Sequence, residues 1–234
     1  MGLYKAADIV FDAKDCGALF EARAEKYRTE IGEPEFTVTV TQEESDWLMG
    51  MTTLKDDGAR YLISGNKFYF KLIERGGMLL HSSAIVKDGR AFLFSGHSGV
   101  GKSTHTGLWL KLYEDAYILN DDKPALRAYE EGFTVYGTPW SGKHDVNRNE
   151  AVPLGGIAFL QRSDRDFIEP MQAKDAAPAL IAQTVRAIKR ESMEMLLQTV
   201  DRLLREVPVY RLGCTPFVSA AELSSRVMLG NIRN

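Results

Sequence analysis

The stretch GHSGVGKST, running from Gly96 to Thr104, decides how the rest of the chain is read. It fulfils the phosphate-loop pattern G-x-x-x-x-G-K-[ST]. The candidate nucleotide-binding residues are Gly96, His97, Ser98, Gly99, Val100, Gly101, Lys102, Ser103 and Thr104. Glycines at three of these positions let the backbone take positive φ and come close to a ligand. Successive N–H groups then form a nest for an anion, in front of the positive end of the following helix. The pattern puts Lys102 within reach of the β- and γ-phosphates and the Ser103 hydroxyl on Mg²⁺, so the expected cofactors are ATP and Mg²⁺. The flanks agree: AFLFS (91–95) reads as a short apolar strand, and 104–113 reads as a helix.

Downstream, AYILNDD (116–122) is an apolar strand of about five residues ending in Asp121 and Asp122. A phosphate-loop enzyme places an acid at such a strand end to hold Mg²⁺, directly or through water. Two adjacent carboxylates can divide labour, one on the metal and one accepting the proton of an attacking hydroxyl. Ser103, Asp121 and Asp122 are therefore the candidate metal ligands. Asp121, Asp122, Lys102 and His81 are the candidate catalytic residues. His81 lies on the strand (78–86) that runs antiparallel to 91–95, and it can face the phosphates or the attacking group. His97 is read as incidental and His105 as a surface residue. Loop 137–148 adds Lys143, His144 and Arg148 as cations for a transferring phosphoryl group, with the choice between Lys143 and Arg148 left open. Trp140 in that loop is placed to stack on a base or cover the site.

The strand entering the loop has a hairpin partner (78–86 and 91–95, turned by KDGR), and 125–129 with 133–136 forms another hairpin turned by EEG. Doubly wound nucleotide-binding folds have helices at these places. The fold class is therefore α/β (α+β), with a mixed, largely antiparallel central sheet, a P-loop and flanking helices. A strand at 154–160, a helical run at 173–205, a strand at 207–212 and a helix at 220–229 complete it. Met193, Leu196, Leu197, Val200, Leu203 and Leu204 form the core-facing stripe of the helical run. Residues 1–75 read as a small N-terminal α+β appendage to a P-loop domain at 76–234. Within it, 17–30 is expected to be a helix, 36–40 a strand, and 60–64 with 67–73 a hairpin turned by Gly65-Asn66. Its roles would be packing, substrate recruitment or contact in a homo-oligomer.

With 29 basic and 32 acidic residues the net charge is −3, against a role in nucleic-acid binding. No run of about 18 apolar residues is present, so no membrane association is expected. No secretory signal is apparent at the N-terminus, and Cys16 and Cys214 fit no disulfide or zinc spacing. A cytoplasmic location follows as an expectation.

Two segments together, HSSAIVKDGRAFLFSGHSGVGKST (81–104) and AYILNDD (116–122), resemble the C-terminal catalytic domain of HPr kinase/phosphorylase. That family belongs with ATP-dependent phosphoenolpyruvate carboxykinase, in a phosphate-loop fold distinct from the doubly wound enzymes. The resemblance covers about a third of the chain, residues 79–160. It implies that His81 is the active-site histidine, that Gly96 to Ser103 hold nucleotide, and that Asp121 or Asp122 is the base towards a serine-type hydroxyl. The family's glutamate–arginine–glycine signature has no counterpart in VYGTPWSGK (135–143). The chain is more similar to HPr-kinase-like proteins that share the HSSA, DD and GTPWSG segments, some of them encoded beside peptide-modification enzymes. The expected function is ATP- and Mg²⁺-dependent phosphoryl transfer to a hydroxyl of a protein, peptide or small molecule. The alternative is a nucleotide-binding regulator or scaffold with little turnover. A decarboxylating carboxykinase ranks last, for want of an arginine cluster.

Overall fold

A computed structural model describes residues 2–185 and 189–230. The chain opens with a hairpin, β1 (Gly2–Ala6) and β2 (Ile9–Lys14), that is not apparent in the sequence. Its turn uses Ala7 and Asp8, both in the left-handed region at φ 51° and 55°, where the sequence shows no glycine. Helix α1 (Ala18–Ala24) ends in a 3₁₀ turn, and β3 (Phe36–Thr39) joins β2 in parallel. The small N-terminal sheet is therefore mixed rather than antiparallel. Helix α2 (Gln42–Met51) starts at a capping box in which the Thr41 hydroxyl accepts the Glu44 N–H and the Glu44 carboxylate accepts the Thr41 N–H.

Residues 60–73, expected as a β-hairpin, form most of one helix, α3 (Asp56–Ile73). The Gly65-Asn66 turn signal and the β-branched and aromatic residues around it favour strands locally. The longer-range pattern favours a helix. Tyr61, Ser64, Gly65, Phe68, Tyr69, Leu72 and Ile73 recur at helical spacing and are all buried. Gly65 is in the helix for contact, not for a turn: a Cβ there would stand 2.8 Å from Cδ1 of Trp140.

The main sheet begins with β4 (Gly77–Leu79), β5 (Ser82–Lys87) and β6 (Arg90–Ser95). After α4 (Lys102–Leu112) come β7 (Tyr117–Asn120), β8 (Ala125–Tyr129), β9 (Gly132–Tyr136) and the long β10 (Ala151–Arg162). The chain closes with β11 (Phe167–Pro170), α5 (Ala173–Ala182), α6 (Arg190–Glu206), β12 (Val209–Cys214) and α7 (Val218–Gly230). Residues 186–188, inside the run expected as helical, lie outside the described residues.

The strand order is β4-β8-β9-β10-β6-β5-β7, with β12 on the other side of the outer part of β10 and β11 beside β12. Among the described residues of this sheet, β6, β10 and β12 run parallel, and the remaining pairings are antiparallel. This is the mixed, largely antiparallel sheet with flanking helices read from the hairpins. β10 joins its two halves, passing from β9 to β6 through a bulge at Gly155, where a Cβ would meet the Phe92 ring at 2.6 Å.

Alternate residues of the central strands face opposite layers. Leu93, Ile157 and Phe159 pack on Leu196, Val200 and Leu203 of α6. Phe92, Phe94, Ala158 and Leu160 pack on Trp109 of α4 and on Ala221 and Met228 of α7. The sheet thus holds α4 against one face, with α4's N-terminus at the end of β6. Among the described residues no helix is long and apolar enough to cross a membrane.

Candidate functional site

Loop 96–101 leaves β6 and turns into α4 through three glycines with positive φ: Gly96 at 140°, Gly99 at 76° and Gly101 at 114°. Any side chain at Gly96 would also crowd the Leu160 carbonyl of β10, at 3.1 Å. His97, Ser98, Gly99, Ser103 and Thr104 line an exposed rim. The Lys102 ammonium is folded over the loop, donating to the carbonyls of Gly96 (3.0 Å) and His97 (3.4 Å). Burial lowers its pKa, against the opposing charge of Asp122. Arg162, at the end of β10, donates to the Gly99 carbonyl at 2.7 Å and braces the loop from outside.

β7 ends in a turn built by Asn120, which is fully buried. Its side-chain oxygen accepts the N–H groups of Asp122 (3.0 Å) and Lys123 (2.7 Å), and its amide donates to the Thr138 carbonyl. This Asx turn presents the two aspartates to different partners. Asp121 Oδ1 accepts the Gly142 N–H at 2.7 Å. A Cβ on Gly142 would stand 2.9 Å from Asp121 Oδ2, so the glycine permits that approach. Asp122 Oδ1 meets His81 Nε2 at 2.9 Å, and its Oδ2 accepts from Lys123 Nζ at 2.7 Å. Burial pushes both carboxyls up. For Asp121 this wins, reinforced by the charge of Asp122. For Asp122 the His81 hydrogen bond and the Lys123 charge outweigh burial and hold the pKa at about 2. Asp122 is thus a fixed anion.

His81 sits at the break between β4 and β5, where the chain passes from β8 to β6 as its neighbour. It is not inside one continuous strand. Its carbonyl accepts the Ser95 hydroxyl (2.8 Å), which ties it to the last residue before the glycine loop. Its N–H donates to the Gln183 carbonyl (2.7 Å), and Nδ1 faces the Gln183 side-chain oxygen (3.2 Å). The structure therefore brings His81, Asp122 and Lys102 into one neighbourhood.

Other candidates lie elsewhere. Trp140 is 1% exposed and packs among Phe11, Phe20, Phe68 and Tyr69, with its indole N–H donating to Ser64 Oγ at 3.1 Å. It fastens loop 137–148 to the N-terminal region and is not available to stack on a base. Arg148 lies over the Tyr117 ring at 4.2 Å and pairs with Glu150, away from the aspartates' hydrogen-bond partners. Lys143 and His144 are exposed. His105, expected on the surface, is 2% exposed, tilted at 57° against the Phe94 ring, with Nε2 bonded to Ser224 at 2.9 Å.

Lys123, Gln183, Arg162, Asn120 and Arg23 were not singled out by sequence. N-D-D-K-P carries an Asx-turn signal that points to Asn120. Gln183 and Arg23 meet the site only through long-range packing. Arg23 of α1 donates to the Ser141 carbonyl (2.8 Å) and pairs with Asp145 (3.6 Å), which steadies the loop that holds Asp121.

Among the described residues no group of three or more His, Cys, Asp or Glu could form a metal cage. The oxygen donors at hand, the Ser103 hydroxyl and the Asp122 carboxylate, are of the kind that Mg²⁺ takes, with water and phosphate oxygens completing its shell.

Fold and site define a mixed-sheet α/β protein with a P-loop motif at a strand–helix junction and a His–Asp pair beside it. Residues 61–219 match the sequence model of SynChlorMet cassette protein ScmC, and the chain belongs to that family. Among solved structures it is similar to the Hpr(Ser) kinase/phosphatase from Coxiella burnetii, at 12% identity and a TM-score of 0.37, over 66% of this chain and 95% of that one. No curated protein matches the chain.

Proposed function

We propose that this protein is an ATP- and Mg²⁺-dependent phosphotransferase acting on a hydroxyl of a protein, peptide or small molecule. The observation that carries the reading is the convergence of three features at the carboxyl end of β6. These are a glycine loop with an N-terminal helix end, the ammonium of Lys102, and the Asp122–His81 pair. The loop's N–H groups and Lys102 receive the phosphates, and Lys102 gives up its carbonyl contacts to do so. Ser103 and Asp122 are the residues that would hold Mg²⁺, which neutralises charge on the transferring group. Asp122, ionised at any physiological pH, faces the loop's lysine and is the carboxylate on the phosphate side. Asp121 is a positioning residue: it fixes Gly142 and hence the wall of the site. His81 orients Asp122 and stands next to the approaching hydroxyl. The motif resemblance drawn from HSSA, the glycine loop and the paired aspartates points the same way.

The test is direct. Nucleotide binding and ATP-dependent transfer to a panel of hydroxyl acceptors are measured for the wild-type chain and for Lys102→Ala and Asp122→Asn. Both variants are expected to lose transfer by about 10²-fold or more, the scale of removing one charge-stabilising group. Unchanged transfer in Lys102→Ala overturns the reading.

A second reading, a nucleotide-binding regulator with little turnover, is favoured by one observation. Both carboxylate oxygens of Asp122 are already engaged, by His81 and Lys123. Tight ATP binding with no transfer to any acceptor would select it.

A further inference from the structure

The two oxygens of Asp122 are held in different ways. Oδ1 meets His81 Nε2 at 2.9 Å, and Oδ2 accepts from Lys123 Nζ at 2.7 Å. His81 has little freedom to leave. Its backbone N–H and carbonyl are bonded to Gln183 and Ser95, and its Nδ1 lies against the Gln183 side chain. Lys123 is anchored through its backbone instead. Its N–H donates to Asn120 Oδ1 at 2.7 Å, and its carbonyl accepts the Tyr69 hydroxyl at 2.6 Å and the Thr138 hydroxyl at 2.7 Å. Among the described residues, Asp122 is the one hydrogen-bond partner of its ammonium.

The Lys123 ammonium can therefore leave by rotation within its own stem, while the turn that carries both aspartates stays where it is. Its side chain is 22% exposed, so a way out exists. A single Lys–Asp pair that keeps some contact with water contributes little to stability, and lysine is a compact charge on a flexible chain. As long as the ammonium stays, it holds the place that a cation on Oδ2 would take. A unit charge and a double charge a few ångströms apart repel strongly, so the two exclude each other. Phosphate oxygens shift that balance, because they add ligands and negative charge on the metal's side.

We propose that Lys123 is a built-in counter-ion on the metal side of Asp122: its ammonium bars free Mg²⁺ from Oδ2 and is released when Mg²⁺ arrives on the phosphates of a nucleotide. The inference rests on the phosphotransferase reading above, in which Ser103 and Asp122 hold the metal. It makes metal uptake conditional on nucleotide. It also accounts for a metal-binding carboxylate whose oxygens are both engaged.

Mn²⁺, a paramagnetic probe that takes the same oxygen ligands as Mg²⁺, tests this on the full chain without nucleotide. The free ion is counted by electron paramagnetic resonance. Lys123→Met, which keeps the length and loses the charge, is expected to bind Mn²⁺ at least about tenfold tighter than wild type. Lys123→Arg should bind like wild type, and adding Asp122→Asn to Lys123→Met should abolish the gain. A second measurement needs no variant to bind metal. In wild-type protein labelled with nitrogen-15 lysine, the Lys123 ammonium signal, assigned by its loss in Lys123→Arg, should move when Mg²⁺ is added with the non-hydrolysable nucleotide AMP-PNP. Mg²⁺ alone should leave it in place. Equal Mn²⁺ affinity in wild type and Lys123→Met overturns the proposal, and so does a Lys123 signal that bound Mg²⁺–AMP-PNP does not move. Either result leaves the phosphate loop standing if AMP-PNP and inorganic tripolyphosphate bind. Failure of both to bind overturns the phosphate-loop reading itself.

Discussion

Asp122→Asn tests the electrostatics at the centre of the site without any assumption about substrate. In the folded protein the carboxyl is held at about 2, against 3.8 in the unfolded chain. That difference corresponds to about 2 kcal/mol of stability at neutral pH. Because the folded-state pKa is the lower one, the contribution is complete above about pH 5 and is lost as the pH falls towards 2. At pH 3 about 1 kcal/mol of it has gone. The carboxyl is nearly buried, with its side chain 23% exposed, so screening by solvent removes only part of this. Asparagine keeps the shape and one acceptor for His81 but has no charge and does not titrate. Urea unfolding of both proteins at pH 7, 5 and 3 is the assay. The wild-type chain should be more stable by about 2 kcal/mol at pH 7 and 5, and the gap should narrow by about 1 kcal/mol at pH 3. His105 titrates alike in both and cancels. A gap that is absent at pH 7, or that stays constant from pH 5 to pH 3, would refute the pairing of Asp122 with His81 and Lys123.

Three further outcomes follow from packing and burial. Gly65→Ala places a methyl 2.8 Å from the Trp140 ring and should cost about 1–3 kcal/mol in thermal or urea unfolding, with a change in tryptophan fluorescence. His105 is held neutral, at about 4 against 6.5, so the stability it contributes is complete above about pH 6.5 and falls as the pH drops to 4, by about 3 kcal/mol in all. Unfolding at pH 7 and 4.5 should show that slope, and His105→Phe should remove it. Gly142→Ala pushes a methyl to within 2.9 Å of Asp121 Oδ2. Transfer activity should drop by up to about 10²-fold while tripolyphosphate binding is kept, since the displacement is in the acid-bearing wall and not in the glycine loop.

How far the sequence could be read depended on how local each signal was. The glycine loop is legible because the motif is made of neighbouring residues: three glycines with positive φ, then a lysine and a hydroxyl at a helix start. The hairpins of the main sheet are legible because turn chemistry and alternation are local too, and they sufficed to place the sheet in the mixed class. The 60–73 segment misleads for the same reason. Its turn signal is local and strong, while the reason it is a helix is a buried face on which Tyr61, Phe68, Tyr69 and Leu72 pack with Trp140 and the N-terminal sheet. The tryptophan shows the converse. In a loop of glycines it reads as a free aromatic, and only the surrounding Phe11, Phe20, Phe68 and Tyr69 make it core.

The sequence by itself determined the phosphate-loop motif, the paired aspartates at a strand end, and a sheet built largely from hairpins. Tertiary structure decided what each of these residues meets. It joined Asp122 to His81 across 41 positions of chain and to Lys123 next door, and gave Asp121 to Gly142. It turned His105 from a surface histidine into a buried one that its surroundings hold neutral. The reason is physical: backbone conformation follows from neighbours along the chain, whereas pKa, burial and hydrogen-bond satisfaction follow from neighbours in space.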